Sequence, residues 1–500
     1  MANSQNSTLH KSLGTWHIMV AGVSLVVAAS TLVSDFTGYF TLGSAFVVAL
    51  GLAFIINLLL GLSAADMSVA YPRAGALYDY ARAIFGGKGG QLLGVFLGLA
   101  MFGMSAFAIS SETAAGAFGL QALLGSDLDI KYFIVVLSVL AVIPNLLGIR
   151  TTAWVSAAML LVMLSIRWIF GLAGFAGFSN TGAWAAANLD AGGFEWFGTN
   201  GVVSAGLALA FWTFVGVEFA CSLAEEVRTP RTAMPRGIVF ALLAILGTSL
   251  IMGLGVTGTA PLSEWREAMT NELSAFGQAP QLAVGQLMFG KLGYTLMALA
   301  SALATLSSLT VIYAAMPRLI YSIARDGKFF GPLSKPIGKL NPRFGTPVNA
   351  TLITFALYLT PALYSSQVVE WLYSAAYVWI ILYVVFHVLA FCRRLWHSYD
   401  RAAFHGRWFT PMPVAGAVMT LFALYHAFFG SHAAYGPRAL IVLLGALGVA
   451  SISLGPAILS RFKRKAKTVF TGDKERLPEL VKMPAGSMPV RALAETFESN

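Results

Sequence analysis

Long apolar stretches, separated by short polar segments, alternate along most of the chain. A helix needs about 20 apolar residues to cross the roughly 30 Å hydrocarbon core of a bilayer. Twelve stretches are long enough, and they cover residues 16–36, 42–65, 91–118, 132–149, 152–176, 201–222, 237–258, 287–316, 347–365, 370–392, 411–430 and 438–460. The pattern predicts an all-α integral membrane protein of about 12 transmembrane helices, which we number as spans one to twelve.

The sixth span is interrupted by polar residues. The stretch FWTFVGVEFACSLAEEVRTPRTAMPRGI, residues 211–238, has a glycine at Gly216 and a carboxylate at Glu218. A carboxylate at bilayer depth is expensive, and glycine weakens a helix. Twelve spans divide as five, five and two, which gives spans one and six corresponding places in two repeats of opposite orientation. Inverted repeats with discontinuous helices place the substrate site near the midplane.

This division predicts five parts along the chain. They are a polar segment at 1–15, a first five-helix repeat at 16–176, a second repeat at 201–392, two extra helices at 411–460 and a tail at 461–500. The tail is polar and bears prolines, so we expect it to be disordered. The N-terminal segment lacks the apolar core and cleavage site of a signal peptide, so the first helix is expected to stay as a span.

Composition and charge agree with a chain that faces lipid. Hydrophobic residues make up 57% of the 500 residues and charged residues 11%, whereas soluble domains are about a quarter charged. With the N-terminus inside, 27 of the 32 Lys and Arg fall on the cytoplasmic side, 4 fall outside, and Arg167 lies within a span. This is the positive-inside rule. It predicts cytoplasmic N- and C-termini in a cell membrane, and a bacterial inner membrane would suit the compact loops.

The net charge of +10 therefore follows the membrane topology and does not indicate a nucleic-acid partner. The basic run RFKRKAK after the last span is expected to lie at the membrane surface. The two cysteines, Cys221 and Cys392, are too few for a disulfide scaffold. The sequence contains no metal-ligand spacing, nucleotide loop or nucleophile–base arrangement, so we expect neither a cofactor nor chemistry on the substrate.

Three stretches resemble the amino acid–polyamine–organocation family of secondary transporters. The first is SAADMSVAYPRAGALYDYARAIFG at 63–86, the second is the interrupted stretch of span six, and the third is PRLIYSIARDGKFFGPLSKPIGKLNPRFGTPVNA at 317–350. They follow one another in the family's order across the ten core spans. The resemblance implies a LeuT-type fold, with helices one and six unwound near mid-membrane. It implies a small zwitterion or amine between the two breaks.

The resemblance points to candidate substrate-binding residues in both broken spans. An ammonium group can be bound by carbonyl oxygens left free where a helix ends, and a carboxylate by N–H groups left free where one begins. In span one, Ala29, Ser30 and Thr31 stand where the family usually has Gly-Ser-Gly, and Ser30 could donate to a substrate carboxylate. The missing glycines place the chain near the ethanolamine-permease-like branch. A straight helix with back-bonded hydroxyls is the alternative.

Span six contributes the remaining candidates for substrate binding. Trp212 stands where some antiporters of the family have a stacking tryptophan, beside Phe211 and Phe214. A flat aromatic face suits an apolar side chain or a cation. Packing between helices is the alternative for these aromatic residues. Gly216 is interpreted as the unwound joint of the helix.

Charged residues within spans are functional candidates by default. In relatives the glutamate that matches Glu218 is tied to proton coupling, and a constantly paired structural role is the alternative. Arg167 cannot usefully deprotonate. It is interpreted either as a fixed charge replacing a bound sodium, as a ligand of a substrate carboxylate, or as a partner of Glu112 in span three. Asp35 lies at the outer end of span one.

Two further groups are candidates for coupling and gating. Asp66, with Arg73 and Arg82, is predicted to lie at the cytoplasmic mouth, where charge pairs could close an inner gate; a solvated loop is the alternative. Ser307 and Ser308 in span eight could bind sodium, as hydroxyls of this helix do in sodium-coupled members of the wider fold. Hydrogen bonding between helices is the favoured interpretation of these serines.

The predicted function is a secondary active transporter, or permease, that moves an amino acid by alternating access, with proton coupling favoured over exchange and over sodium. An ethanolamine or polyamine permease and an amino acid exchanger are the alternatives within this class. A non-transporting membrane sensor is the alternative from another class. The expected partners are a small-molecule substrate, protons and the lipid bilayer, and the sequence leaves the oligomeric state open.

Overall fold

A computed structural model describes residues 9–193, 195–197, 201–270, 279–364, 368–397, 403–429, 444 and 448. Within these residues all the regular elements are helical, and a single bridge joins Leu13 to Val227. The α-helices are α1 Thr15–Val26, α2 Ala29–Leu42, α3 Ala45–Ala70, α4 Leu77–Phe85, α5 Gly87–Leu124, α6 Ile130–Leu146, α7 Ile149–Phe175, α8 Leu207–Trp212, α9 Pro230–Thr257, α10 Leu262–Thr270, α11 Pro280–Arg325, α12 Ser334–Ile337, α13 Val348–Tyr364, α14 Val368–Trp396 and α15 Pro411–Phe429.

Shorter helical segments complete the described chain. Span six begins with a π-helical segment, Val202–Gly206, continues through α8 and ends in a 3₁₀-helical segment, Val217–Glu226. The other 3₁₀ segments are Ala186–Leu189, Gly331–Leu333 and Arg407–Phe409.

Eight of the described helical elements are long and apolar enough to cross a membrane, and the bent pair of α1 and α2 adds a ninth span. The apolar helices α6 and α13 are slightly shorter, at 17 residues each. These eleven elements coincide with spans one to eleven. Span twelve, at 438–460, lies outside the described residues except for Leu444 and Gly448. The prediction of an all-α membrane protein is confirmed.

Span one is broken at Val27 and Ala28. The helix α1 ends at Val26, α2 begins at Ala29, and the two axes differ by 61°. The segments contain 12 and 14 residues, or about 18 and 21 Å at 1.5 Å per residue. The break therefore divides the span into two nearly equal halves.

Span six is broken at Gly216, which has φ +127° and precedes the 3₁₀ segment. This region of backbone conformation favours glycine because a side chain is strained there. A Cβ at this position would also collide with the side chain of Leu25 in α1. Gly216 thus allows both the turn in span six and the close approach of span one.

The two broken spans pack against each other in opposite directions. The first half of span one, α1, contacts the second half of span six, whereas α2 contacts α8. We call the end of the bundle at which α1 begins the proximal end, and the opposite end the distal end. Leu13 and Arg228 are joined at the proximal end by an N–H···O bond of 2.9 Å. At the distal end Arg266 donates to the carbonyl oxygen of Phe40 at 2.7 Å.

Candidate functional site

A small cavity of about 40 Å³ lies where the two breaks meet. Both broken spans contribute to it, together with α5, α11 and α14. Its walls are formed by Leu25, Val26, Ala28, Ser30, Thr31, Ser105, Ala108, Ile109, Glu112, Trp212, Val215, Gly216, Phe219, Ser308, Ile312 and Trp379. The walls are mostly apolar, with a few polar groups from different helices, as in small-molecule sites generally.

Four of the candidate binding residues, Ser30, Thr31, Trp212 and Gly216, line this cavity. The indole N–H of Trp212 donates to the hydroxyl of Ser30 at 3.1 Å, which ties the two breaks together. Ala29 does not line the cavity with its side chain, but its backbone N–H reaches Glu112.

Phe211 and Phe214 are buried away from the cavity. The ring of Phe211 lies 5.1 Å from that of Tyr383, and the ring of Phe214 lies 5.9 Å from that of Phe54, measured between centroids. These two residues pack between helices, which is the alternative that the sequence left open.

Glu112 binds the start of α2 with both carboxylate oxygens. One oxygen accepts from the N–H of Ala29 at 3.2 Å, and the other accepts from the N–H of Ser30 at 2.9 Å. Thr305 of α11 donates to the same carboxylate at 2.5 Å. The side chain of Glu112 is buried, at 3% exposure. A carboxylate supplied by α5 thus satisfies amides that the break in span one leaves without helical partners.

Arg167 of α7 binds the other side of the same break. Its guanidinium donates to the carbonyl oxygen of Ala28 at 2.6 Å, and its side chain is 1% exposed. The proposed direct pair between Arg167 and Glu112 is wrong, because no ion pair within 4.0 Å joins them among the described residues. The physical reason is the break itself: its carbonyl side attracts the cation and its amide side attracts the anion.

Hydroxyl groups bind two further carbonyls next to this break. Thr31 donates to the carbonyl of Val26, and Ser308 donates to that of Leu25 at 3.1 Å. Ser307 instead bonds to the backbone and hydroxyl of Ser156 in α7, both at 3.1 Å. Both serines of the sodium hypothesis therefore have protein partners. Among the described residues, no group of three or more His, Cys, Asp and Glu is placed to hold a metal ion.

Glu218 is fully buried just after the break in span six. Its carboxylate accepts from the indole N–H of Trp379, from the hydroxyl of Tyr383 at 3.1 Å and from the N–H of Gly216 at 3.1 Å. Trp379 also lines the cavity, and its ring stacks on Phe219. Glu218 is therefore joined to the cavity through Trp379 and Gly216, although its own side chain does not line it.

Asp35 is buried midway along α2 and lies off the cavity. Its carboxylate accepts from the hydroxyl of Thr213 in the turn of span six at 2.7 Å. This bond joins the two spans on the distal side of the breaks, as the bond between Trp212 and Ser30 does beside the cavity.

Asp66 lies at the proximal end with partners other than those expected. Its carboxylate binds Arg393 at 3.1 Å and Arg394 at 2.9 Å, all three side chains being buried, and it accepts from the N–H of Ala403 at 3.0 Å. The expected grouping with Arg73 is wrong, because α3 faces α14 at this depth.

The arginines expected near Asp66 instead surround Asp79 in α4. Asp79 lies 3.8 Å from Arg73 and 3.6 Å from Arg82, and it accepts from Ser322 of α11 at 3.0 Å. Burial raises the pKa of Asp79 above its ordinary value, with Arg82 opposing the shift. Arg82 also pairs with Asp326, which accepts from Tyr78 at 2.7 Å. Burial raises the pKa of Tyr78 to about 12, so its hydroxyl stays a donor at neutral pH.

The end of span six is held to α11 by two further ion pairs. Glu226 pairs with Arg318 in a buried contact, and Glu225 pairs with Arg325 at 2.9 Å. We call the ion pairs of Asp66, Asp79, Glu225, Glu226 and Asp326 the proximal ion-pair layer. It joins α3, α4, α11, α14 and the 3₁₀ segment of span six.

Three residues at the site, Thr305, Trp379 and Tyr383, were not found from the sequence. Trp379 and Tyr383 are four residues apart and so lie on one face of α14. An indole N–H and a phenol O–H on one face of a span indicate a buried acceptor nearby, such as a carboxylate. Nothing in the sequence near Thr305 marks it, because its partner is 193 residues away.

A helical membrane bundle with two broken spans around a central cavity is typical of secondary transporters. The chain matches the family model described as amino acid permease over residues 13–451. It is 26% identical over 372 residues to cationic amino acid transporter 4 of Homo sapiens, covering 70% of this chain and 54% of that protein. The chain belongs to the amino acid permease family, whose members are multi-pass membrane transporters.

Two bacterial relatives are matched over more of their length. The chain is 23% identical over 375 residues to the branched-chain amino acid permease BcaP of Bacillus subtilis, covering 70% of this chain and 74% of that protein. It is 23% identical over 378 residues to the methylthioribose transporter of the same organism, covering 71% of this chain and 75% of that protein.

Proposed function

We propose that this chain is a secondary active transporter that carries an amino acid or a related small amine through the central cavity by alternating access. The observation that carries the proposal is the position of the cavity. It lies where two antiparallel spans are both broken, and the break in span one divides that span almost equally. A site at the midplane can be opened to either side by moving one set of helices against the other.

The family supports this proposal, and so do the names of its members. Relatives are named for cationic and for branched-chain amino acids. We propose that the substrate here is an amino acid of this kind or a related small amine. The bias of Lys and Arg toward one set of loops supports a cytoplasmic proximal end in a cell membrane.

We propose that transport is coupled to protons through Glu218. The ionised carboxylate accepts three hydrogen bonds, one of them from the hydroxyl of Tyr383. When Glu218 is protonated, the same hydroxyl can instead accept a hydrogen bond from the carboxyl O–H. Trp379 joins Glu218 to the cavity wall. A proton gained or lost at Glu218 would therefore change the position of Trp379 and of the turn at Gly216. Substrate exchange without protons is the competing mode.

The test is uptake by the full chain in liposomes, with a panel of labelled amino acids and amines, under proton, sodium and counter-substrate gradients. We expect a proton gradient to drive accumulation of at least one compound. Accumulation only with a counter-substrate would favour exchange over proton coupling. Absence of flux and of binding for every compound would contradict the proposed function.

The variant Glu218→Gln tests the coupling step. We expect gradient-driven accumulation to fall to the level reached without a gradient, because the amide cannot carry the proton, while substrate binding survives. The control is Glu264→Gln, the same change at an exposed residue of α10, which should leave accumulation unchanged. If Glu218→Gln accumulated substrate like the unmodified chain across pH, Glu218 would have no part in coupling.

A further inference from the structure

The amides at the start of α2 are already bound by a carboxylate that belongs to the protein. Glu112 accepts from the N–H groups of Ala29 and Ser30 and from the hydroxyl of Thr305. A helix beginning at a cavity offers its free N–H groups to an anionic ligand. Here two of those groups are in use, so a substrate carboxylate could reach them only by displacing Glu112.

Three carbonyls beside the break are also in use. Ala28 accepts from Arg167, Leu25 accepts from Ser308, and Val26 accepts from Thr31. An ammonium group in the cavity would therefore find its strongest partner in the Glu112 carboxylate. This is the only acidic side chain that lines the cavity as described.

The buried charges around the break favour a cationic ligand. Asp35 and Glu112 bring two negative charges and Arg167 brings one positive charge, and all three side chains are at most 6% exposed. The sum is one negative charge before any contribution from Glu218. A cationic ligand would offset this negative charge, whereas a zwitterion would add a second carboxylate beside Glu112. Like charges at close range in a buried site are costly.

The aromatic residues of the cavity wall also favour a cationic ligand. Trp212 and Trp379 both line the cavity, and each has its indole N–H bound to a protein oxygen, Ser30 for Trp212 and Glu218 for Trp379. Tryptophan is the side chain whose ring face attracts organic cations most strongly. The two indoles are held in place by their N–H bonds and need no ligand to orient them.

We propose that the cavity binds a small organic amine without a free carboxylate, with Glu112 as its counter-charge. This inference rests on the proposed function and narrows its substrate class. The amine nitrogen contacts the outer face of the Glu112 carboxylate, while the amides of Ala29 and Ser30 hold that carboxylate from behind. Thr305 is a positioning residue that fixes the carboxylate from α11.

The first test compares amino acids with the amines that differ from them by the carboxylate alone. The pairs are serine and ethanolamine, ornithine and putrescine, arginine and agmatine, leucine and 3-methylbutylamine, and tyrosine and tyramine. Binding to the purified full chain is measured by the shift of its thermal unfolding with ligand concentration. We expect at least one amine to bind about tenfold or more tightly than its amino acid, a difference of about 1.4 kcal/mol.

Each outcome of this test decides something. If in every pair that shows binding the amino acid binds as tightly as its amine, or more tightly, the inference is overturned and the proposed transport function stands. If no member of any pair is bound or transported, the proposed function is contradicted, and the inference fails with it.

Two variants of Glu112 test its role. Glu112→Gln loses the charge and keeps one oxygen, which can accept from one of the two amides, so amine affinity should fall about tenfold or more without any gain for the amino acid. Glu112→Ala removes the carboxylate and leaves the amides of Ala29 and Ser30 open to a ligand. We expect this variant to bind the amino acid of the pair more tightly than the unmodified chain does.

The control is Asp35→Asn, which removes one buried negative charge from α2, beside the break, without opening the amides or changing the cavity wall. We expect it to weaken the amine less than Glu112→Gln does, because Asp35 lies off the cavity and cannot contact the ligand. If Glu112→Gln kept the full preference for the amine, Glu112 would not be the counter-charge. Glu112→Gln decides this even if Glu112→Ala does not fold.

Discussion

The backbone of Gly216 has a conformation that other residues adopt only with strain, at φ +127°. The adjacent space is filled by Leu25, which a Cβ would strike. The residue therefore serves the break in span six in two separate ways, through its backbone freedom and through its lack of a side chain.

The variant Gly216→Ala should lower the thermal unfolding midpoint of the purified protein and weaken ligand binding. Backbone strain alone costs about 1–3 kcal/mol, and the collision with Leu25 adds to it. The control is Gly51→Ala within α3, where a Cβ meets nothing within 4 Å and the backbone is helical. That control should be neutral or slightly stabilising, since alanine favours a helix. Equal effects of the two variants would show that Gly216 has no special role.

Asp79 gives a pH dependence of stability whose sign can be stated. Burial raises its pKa above the ordinary value of 3.8, so the folded protein holds this proton more tightly than the unfolded chain does. Protonation of Asp79 therefore stabilises the fold. This stabilisation is complete below the ordinary pKa and is lost as pH rises through the raised value.

The variant Asp79→Asn should consequently gain stability relative to the unmodified chain as pH is raised from about 4 toward 7. The measurement is the difference between the two unfolding midpoints at each pH. For each protein the midpoint at neutral pH is compared with that at acidic pH. Changes in hydrogen bonding that asparagine causes at every pH therefore cancel from the comparison. A difference that stayed constant, or that moved in the opposite direction, would contradict the raised pKa.

At the scale of elements, the two breaks could be predicted to different degrees. In span six, Gly216 and Glu218 stand out from an apolar run, and the structure unwinds the helix beside them. In span one, the prediction centred on residues 29–31, whereas the structure breaks the helix at Val27 and Ala28. No glycine or proline marks those two residues, because their conformation is set by Arg167 and Glu112 from other helices.

Span eight shows the same limit at its beginning. Hydropathy places the span at 287–316, but the helical segment starts at Pro280 and kinks at Phe289 and Gly290, where Gly290 has φ +58°. The ring of Phe289 packs against Phe170 of α7 at 4.9 Å. Apolar length thus predicts which residues cross the membrane, while contacts between helices decide where each helix bends.

The partners of polar residues were the least predictable part of the site. Glu112 and Arg167 were singled out because charge within a span is expensive, and Asp66 because charge pairs at the cytoplasmic mouth could close an inner gate. Their partners come from distant positions, such as Thr305 for Glu112 and Arg394 for Asp66. Sequence spacing carries no information on such pairs, because the packing of the helices decides which arginine lies next to which acidic residue.

Asp66 fixes α3 to α14, and its removal should loosen that junction. Removing one partner of a buried ion pair costs about 3–5 kcal/mol. We expect Asp66→Asn to lower the unfolding midpoint by several degrees. Asp129→Asn is the matched control, because Asp129 is an exposed cap of α6 and asparagine caps a helix equally well. Similar midpoints for the two variants would contradict a structural role for the Asp66 cluster.

At the scale of the whole molecule, the small cavity is surrounded by polar groups that are hydrogen-bonded to other parts of the protein. The N–H groups of Ala29 and Ser30, the carbonyls of Leu25, Val26 and Ala28 and the carboxylate of Glu218 all have protein partners. The bundle can therefore keep an unoccupied site stable within a membrane, where an unsatisfied polar group would cost several kcal/mol.

The proximal ion-pair layer has a consequence for leakage across the membrane. Its carboxylates come from α3, α4, α11 and the end of span six, and each is bound to an arginine of another element or of a neighbouring turn. A passage closed by several such contacts opens only when most of them separate together, so partly open forms are rare. For the transporter that we propose, we therefore expect no half-open route for ions and solutes between complete cycles, so that a gradient driving uptake would not be dissipated.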